Sequence, residues 1–224
     1  MATPAMKRYA AEIYRLQEDH SSVGVSDLSH VADVSVQAAT RMVGKMKEDG
    51  YLEHEPYRGV TLTEKGEEIA MPALRRHRLV EVFLVEVMNF DWNEAHDLSD
   101  HLELGINDTL EDRIDTITGH PTRCPHGEPI PSPEGVMPEV HDLSLVDVEP
   151  PQRCEMSRVR THDPEKLSYI KELGLVPGVR FEFQSRAPFE GPIRIRLDRE
   201  ETVLGYDLAS VLFVSPLSDP EEPA

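Results

Sequence analysis

Residues Leu74 to Glu103 read LRRHRLVEVFLVEVMNFDWNEAHDLSDHLE, and their reading decides the fold. The apolar positions predict two helices joined by a short break at Asn89–Asn93. On the first helix His77 and Glu81 stand four apart. On the second, His96, Asp100 and Glu103 follow at i, i+4 and i+7. Both spacings place their side chains on one helical face. Imidazoles and carboxylates gathered on adjoining helices are costly to bury as bare charges. A divalent cation turns that cost into a binding site.

The chain around this stretch has 224 residues, which points to two or three compact units. Hydrophobic residues make up 39%, enough for real cores. No run approaches the roughly 18 apolar residues of a membrane helix. The opening MATPAMKRYAAEIY has no signal-peptide core, and Cys124 and Cys154 give no disulfide framework. Both observations suit a reducing cytoplasm. A net charge of -19 looks unfavourable for a nucleic-acid partner, but it is uneven. The acid is concentrated after residue 65, leaving the first part close to neutral.

In that first part, Tyr9, Ile13 and Leu16 keep helical spacing. Val25–Ala32 reads as a short helix with Ser26 as its N-cap, followed by a tight turn at Asp33–Val34. Ser35 then caps a longer helix that buries Ala39, Met42, Val43 and Met46 and ends at Gly50. Two helices joined this way are a helix-turn-helix. Tyr51–Glu55, a turn at Pro56–Gly59 and Val60–Thr63 make a hairpin, the wing of a winged helix. In that geometry the second helix enters the major groove. Its residues off the buried face are Ser35, Gln37, Ala38, Thr40, Arg41 and Lys45, with Arg58 at the tip of the wing. Gln and Arg make bidentate contacts to adenine and guanine, and hydroxyls bind phosphate. A solvated face on a protein-interaction module is the bland alternative.

Beyond the central pair, Asn107 is expected to cap a third helix with Leu110, Ile114 and Ile117 inward. An apolar helical layer beside a winged head suits a dimer interface. The segment HPTRCPHGEPIPSPEGVMP follows, with six prolines between Pro121 and Pro138, and reads as a stiff linker carrying Cys124 and His126 two apart. A lone Cys-x-His is a weak ligand signal on its own. Further on, Cys154–Arg160, Val179–Ser185, Ile193–Leu197, Glu201–Leu204 and Val211–Val214 read as strands, and Pro164–Leu173 as a helix. This pattern fits a small SH3-like barrel with Cys154 buried in a strand. PLSDPEEPA at the end reads as disordered.

Several of these motifs, in this order, resemble the diphtheria-toxin-repressor family of iron- and manganese-dependent regulators. They are the head with YRGVTLTEKG, the RRHRLVE and AHDLSDHLE helices, the CPHGEPIP turn and LGLVPGVRFEF. The resemblance implies a homodimeric repressor that binds double-stranded operator DNA when loaded with a divalent ion. It also implies ligand roles. His77, Glu81 and His96 match one metal site, and Cys124 and His126 match ligands of manganese-responsive members. Those members add an acid from the C-terminal domain, for which Asp163 is the best match, beside His162 and Glu165. Asp100 and Glu103 match a second site, which departs from the family's pattern in having Arg8 and Leu104 at two ligand positions. Arginine cannot ligate a cation, so an ion pair from Arg8 to Asp100 or Glu103 is expected there. The alternative is an altered site completed by His101 or His96.

The expected fold is therefore α+β and mainly helical. It comprises a winged helix-turn-helix over 1–72 and a helical metal-binding and dimerisation domain with its Pro-rich linker over 73–145. An SH3-like β-barrel over 146–216 and a tail over 217–224 complete it. The expected function is a cytoplasmic, metal-dependent transcriptional repressor of metal-uptake genes rather than an enzyme, with Mn2+ favoured over Fe2+. The rivals are a winged-helix regulator without metal control and a metallohydrolase. The second of these lacks both an HExxH motif and a nucleophile motif.

Overall fold

The computed structural model describes residues 2–18, 21–55, 58–161 and 163–218. They pack as two compact units. One comprises residues 1–77, 103–107 and 130–138, the other residues 78–102, 108–129 and 139–224.

The first unit opens with α1 (Pro4–Gln17), whose N-cap Thr3 accepts a hydrogen bond from Met6 N. Met6, Tyr9, Ala10 and Ile13 share one face and are buried, with Leu16 half-buried beside them. Next come α2 (Val25–Val31) and α3 (Val36–Glu48). The N-cap of α2 is Gly24, in extended backbone, and not Ser26. Ser26 is already helical, and its carbonyl accepts the Ser29 hydroxyl. The turn between the helices passes through Asp33 at φ 49°, a left-handed position that aspartate tolerates. Ser35 caps α3 by accepting from Ala38 N at 3.2 Å, and Gly50 at φ 75° stops it. Ala39, Val43 and Met46 point into the core, with Met42 half-buried.

The wing is the antiparallel pair β1 (Leu52–Glu55) and β2 (Gly59–Leu62), and Val23 bridges to Val60 beside it. Pro56 and Tyr57, in the expected turn, lie outside the described residues. From here α4 (Glu64–Val82) begins well before the expected Leu74 and runs through Pro72. Ala70, Met71 and Leu74 complete the head's core, with Met137 packed against it.

The second unit takes the last turn of α4. It continues through a π-helical turn (Phe83–Val87), α5 (Trp92–Leu102) and α6 (Asp108–Ile117). On α6 only Ile114 of the three expected inward residues is buried; Leu110 is 47% and Ile117 59% exposed. The stretch expected as a linker is partly a fixed turn. Cys124, His126, Gly127 and Glu128 are buried, and the turn closes through Cys124 N to Glu128 O and Gly127 N to Cys124 O.

A six-stranded antiparallel sheet follows, built from β3 (Leu143–Ser144), β4 (Gln152–Val159), β5 (Arg180–Arg186), β6 (Ile193–Leu197), β7 (Glu200–Leu204) and β8 (Leu212–Pro216). Its order is β3-β8-β4-β5-β6-β7. Two helices, α7 (Pro164–Glu172) and α8 (Tyr206–Ser210), complete this SH3-like domain. Met156, Leu167, Ile170, Phe183, Ile195 and Val214 fill its core. Cys154 is buried in β4 as expected, and burial pushes its thiol up to about 11. The tail expected over 217–224 lies outside the described residues beyond Ser218.

Leu28 is fully buried in the core of the head. Leu28→Ala is expected to cost about 2–5 kcal/mol through lost burial and the cavity left behind. Denaturant unfolding followed by circular dichroism would register it as a lowered unfolding midpoint.

Candidate metal centre and nucleic-acid face

Glu81 lies on the last turn of α4 and is only 2% exposed. A carboxylate so buried needs partners, and two imidazoles supply them. His96, on the buried face of α5, brings Nδ1 to 3.1 Å from Glu81 Oε1. His126, from the Cys124–Glu128 turn, brings Nδ1 to 3.5 Å from Glu81 Oε2. Cys124 Sγ stands 3.9 Å from the same Nδ1. One donor atom each from Glu81, Cys124 and His126 falls within 4.8 Å of the others, with all three residues buried.

The tautomer of His126 follows from its other nitrogen. Nε2 is 2.8 Å from the Trp92 carbonyl, which can only accept, so Nε2 carries hydrogen. Nδ1 is therefore the nitrogen left to ligate, with its orientation fixed by a backbone acceptor in the usual manner of metal-binding histidines. The Trp92 indole stacks on the same ring, 5.4 Å between centroids and 26° between planes.

Burial works against a charged His126, but the Glu81 carboxylate and Cys124 outweigh it and hold its pKa well above the ordinary imidazole value. Burial also pushes the Cys124 thiol up, helped by the nearby Glu81 charge. The chemistry of the donor set fits a divalent transition ion. A thiol sulfur, an imidazole nitrogen and a carboxylate oxygen lie within 4.8 Å of one another in a buried, hydrogen-bonded shell, and the sulfur and the imidazole could bind an ion once deprotonated.

The other expected ligands are placed differently. In the first unit, His77 Nδ1 pairs with Glu103 Oε2 at 3.1 Å. Glu103 thus pairs with His77 rather than with Arg8, whose Nε is buried without a hydrogen-bond partner among the described residues. In the second unit, Asp100 is half-buried on α5, one turn after His96. His101 is exposed and faces the Asp97 carbonyl at 2.7 Å. Asp163 does not join the Glu81–Cys124–His126 group: it is exposed at the N-terminus of α7, where Oδ1 accepts from Glu165 N and Lys166 N. A carboxylate at the position before a helical proline is a strong cap, and that local bond holds it. His162 lies outside the described residues.

Sequence reasoning missed three charged residues packed against the turn. Arg78, three residues before Glu81, donates to the Pro129 carbonyl at 2.6 Å and to Glu128 at 3.4 Å. Arg158 on β4 reaches the same Glu128 at 3.3 Å. The only signal available was the unusual number of charges flanking apolar runs.

In the head, α3 presents Gln37, Thr40, Arg41 and Lys45 to solvent, with Ala38 half-buried. Ser35 is exposed but spends its hydroxyl oxygen on the cap. Val36, overlooked in the sequence, is 49% exposed in the first turn and can meet a thymine methyl. Arg58 stands at the wing tip in an exposed ion pair with Glu55, the kind worth little in water and readily exchanged for phosphate.

Comparisons with known proteins bear on each part. Residues 1–60 match the family described as the iron dependent repressor, N-terminal DNA binding domain. Residues 63–132 match its metal binding and dimerisation domain, and residues 143–216 match the FeoA domain. The iron-dependent repressor IdeR of Mycobacterium tuberculosis is 28% identical over 218 residues, 92% of this chain and 94% of that protein. The regulator MntR of Lysinibacillus sphaericus is 34% identical over 125 residues, 54% of this chain and 89% of that protein. Among solved structures, a manganese-dependent transcriptional repressor in complex with manganese superimposes with a TM-score of 0.88 at 31% identity. It covers 95% of this chain and 100% of its own.

To ligate a cation, His126 and Cys124 must each give up a proton that their raised pKa values retain to higher pH. Affinity for Mn2+ is therefore expected to rise with pH and to be lost progressively as the medium is made more acidic. Calorimetric titration in buffers of different ionisation enthalpy would report the protons released. Binding that released none would show that these two side chains are not ligands.

Proposed function

The chain belongs to the iron-dependent repressor family, and from that premise we propose that it is a metal-dependent DNA-binding transcriptional regulator, acting in the cytoplasm as a homodimeric repressor of metal-uptake genes. The observation that carries this reading is the buried convergence of Glu81, Cys124 and His126, with His96 behind them, on a chain whose other end is a winged helix-turn-helix. Among the described residues no helix is long and apolar enough to cross a membrane.

A bound divalent ion supplies positive charge that lets the carboxylate and thiolate face one another without repulsion. Glu81 then fixes the last turn of α4, His96 fixes α5, and Cys124 with His126 fixes the turn. The head responds through α4, which contributes both to the head's core and to the metal centre. Two heads held one DNA turn apart, ~34 Å, read a pair of half-sites. The differential affinity needed is modest, about 1–3 kcal/mol of coupling. Exposed Met88, Leu102, Leu110 and Ile117 on the helical layer support its use as the dimer face. The assignments drawn from the sequence are kept as proposals: His77 as a further ligand of the first ion, Asp100 and Glu103 as ligands of a second, and Asp163 as an acid that turns to the first centre when loaded. We place the functional divisions at residues 72, 145 and 216. Mn2+ is favoured over Fe2+, a choice supported by the manganese-bound structural relative and by the hard acid at position 100.

Gel-shift titration against fragments from upstream of metal-transport genes tests the reading. Retardation is expected with Mn2+, weaker with Fe2+ under anaerobic conditions, and absent with chelator. Cys124→Ser and Glu81→Gln should each reduce the metal response. Arg41→Ala should weaken the loaded protein's grip by about 1–3 kcal/mol, the worth of one bidentate base contact. Equal retardation with metal and with chelator would instead make the chain a winged-helix regulator without metal control.

A further inference from the structure

The Cys124–Glu128 turn is fastened to strand β4 of the barrel by more than one kind of contact. Val159 N donates to the His126 carbonyl at 2.8 Å. Gly127, at φ 87°, lies so close to β4 that a Cβ there would fall 2.2 Å from Ser157 O and 2.7 Å from Arg158 Cα. Arg123 donates to the Gly127 carbonyl at 2.6 Å within the turn and reaches Ser157 Oγ of β4 at 3.5 Å.

The strand has a local irregularity at this point. Along β4, Cys154 and Met156 point inward, so strict alternation would turn Arg158 into the barrel core. The register against β8 shifts between Met156 and Arg158, and Val159 becomes the next buried residue. Such a bulge re-aims side chains. Here Ser157 and Arg158 both reach Asp142, at 2.6 Å from Ser157 Oγ and 3.0 Å from Arg158 Nε. Arg158 completes a two-pronged pair through Nη2 to Asp142 Oδ1 at 3.0 Å, and its guanidinium lies 4.7 Å from the Phe213 ring centre. Held on those sides, it directs Nη1 at Glu128. Glu128 is buried between this arginine and Arg78 of α4.

We propose that Arg158 and Glu128 are positioning residues of the metal centre: the bulged strand of the barrel holds the turn so that Cys124 Sγ and His126 Nδ1 face Glu81. Arg158 then shapes metal affinity through this ionic clasp without itself ligating. The inference rests on the reading of Glu81, Cys124 and His126 as the metal centre. A buried ion pair is weak evidence of stability but a good device for fixing one arrangement. Outer-shell partners of this kind typically change metal affinity by about 10–100-fold.

The test compares the full-length wild type with the charge-balanced double variant Glu128→Gln/Arg158→Met and with Asp142→Asn. Cd2+ is titrated by its thiolate absorption and Mn2+ by electron paramagnetic resonance. Melting without added metal is recorded alongside. Expected are a Cd2+–thiolate band in the wild type and, for folded double variant, Mn2+ affinity lowered by about 10–100-fold. Asp142→Asn should give a smaller loss, and Arg194→Met, exposed on β6, none. Wild-type affinity in a folded double variant would overturn the proposal. Where the double variant does not fold, wild-type affinity in Asp142→Asn would overturn it instead. A wild type without the thiolate band but with undisturbed melting would remove the underlying site reading itself.

Discussion

A carboxylate with almost no exposure, flanked by two imidazoles, sets the terms for the second unit. Moving such a charge out of water costs several kcal/mol unless partners are already in place. Glu81 can lie where it does only because α5 delivers His96 and the turn delivers His126 to opposite oxygens. Each delivery is itself constrained. The turn to α5 follows a π-helical widening at Phe83–Val87 and a left-handed Asn89, and α5 packs back against that widened segment. π-Bulges concentrate at functional positions because they shift a face without ending a helix.

The cluster is also a place where protons and cations compete for the same lone pairs. His126 keeps its proton because Glu81 is close, and Cys124 keeps its own because water is excluded. Both conditions make the ion-free arrangement self-consistent and electrically balanced. An ion that replaces those protons meets donors already pointing inward, so little reorganisation is required. That is the condition for a sensor whose response is a change of population rather than a refolding event.

Much of this was legible in the sequence because its signals are local. Helical spacing placed Glu81 inward, Ser35 and Gly50 marked the limits of α3, and alternation marked nearly every strand of the barrel. The departures share a cause: they depend on residues distant in the chain. Nothing near Ser157 announces a bulge, since the shift is defined by β8. Glu128 and Arg158, thirty positions apart, are ordinary surface letters until the fold brings them together. Leu110 and Ile117 have the spacing of a buried face, but spacing reports amphipathicity and not which surface covers it. Asp163 was singled out by resemblance, while its own neighbourhood, Pro164 and a helix start, equally specifies a cap.

The donor set constrains which ion the centre can select. For any fixed nitrogen, oxygen and sulfur site, affinity rises from Mn2+ through Fe2+ toward Cu2+, so tighter binding cannot by itself favour manganese. A thiolate deepens that bias toward the softer ions. Selectivity for Mn2+ must then come from coordination number and from the ions available in the cell. The buried centre supplies three donors within one turn and one helix, with His96 on the far side of Glu81. A hard ion that accepts more oxygen ligands gains from an additional carboxylate, whereas an ion content with four donors does not. The acid-rich second unit makes such a carboxylate easy to recruit. Discrimination between ions at such a centre would therefore rest on how many oxygens could join the thiolate and imidazole that would hold the ion.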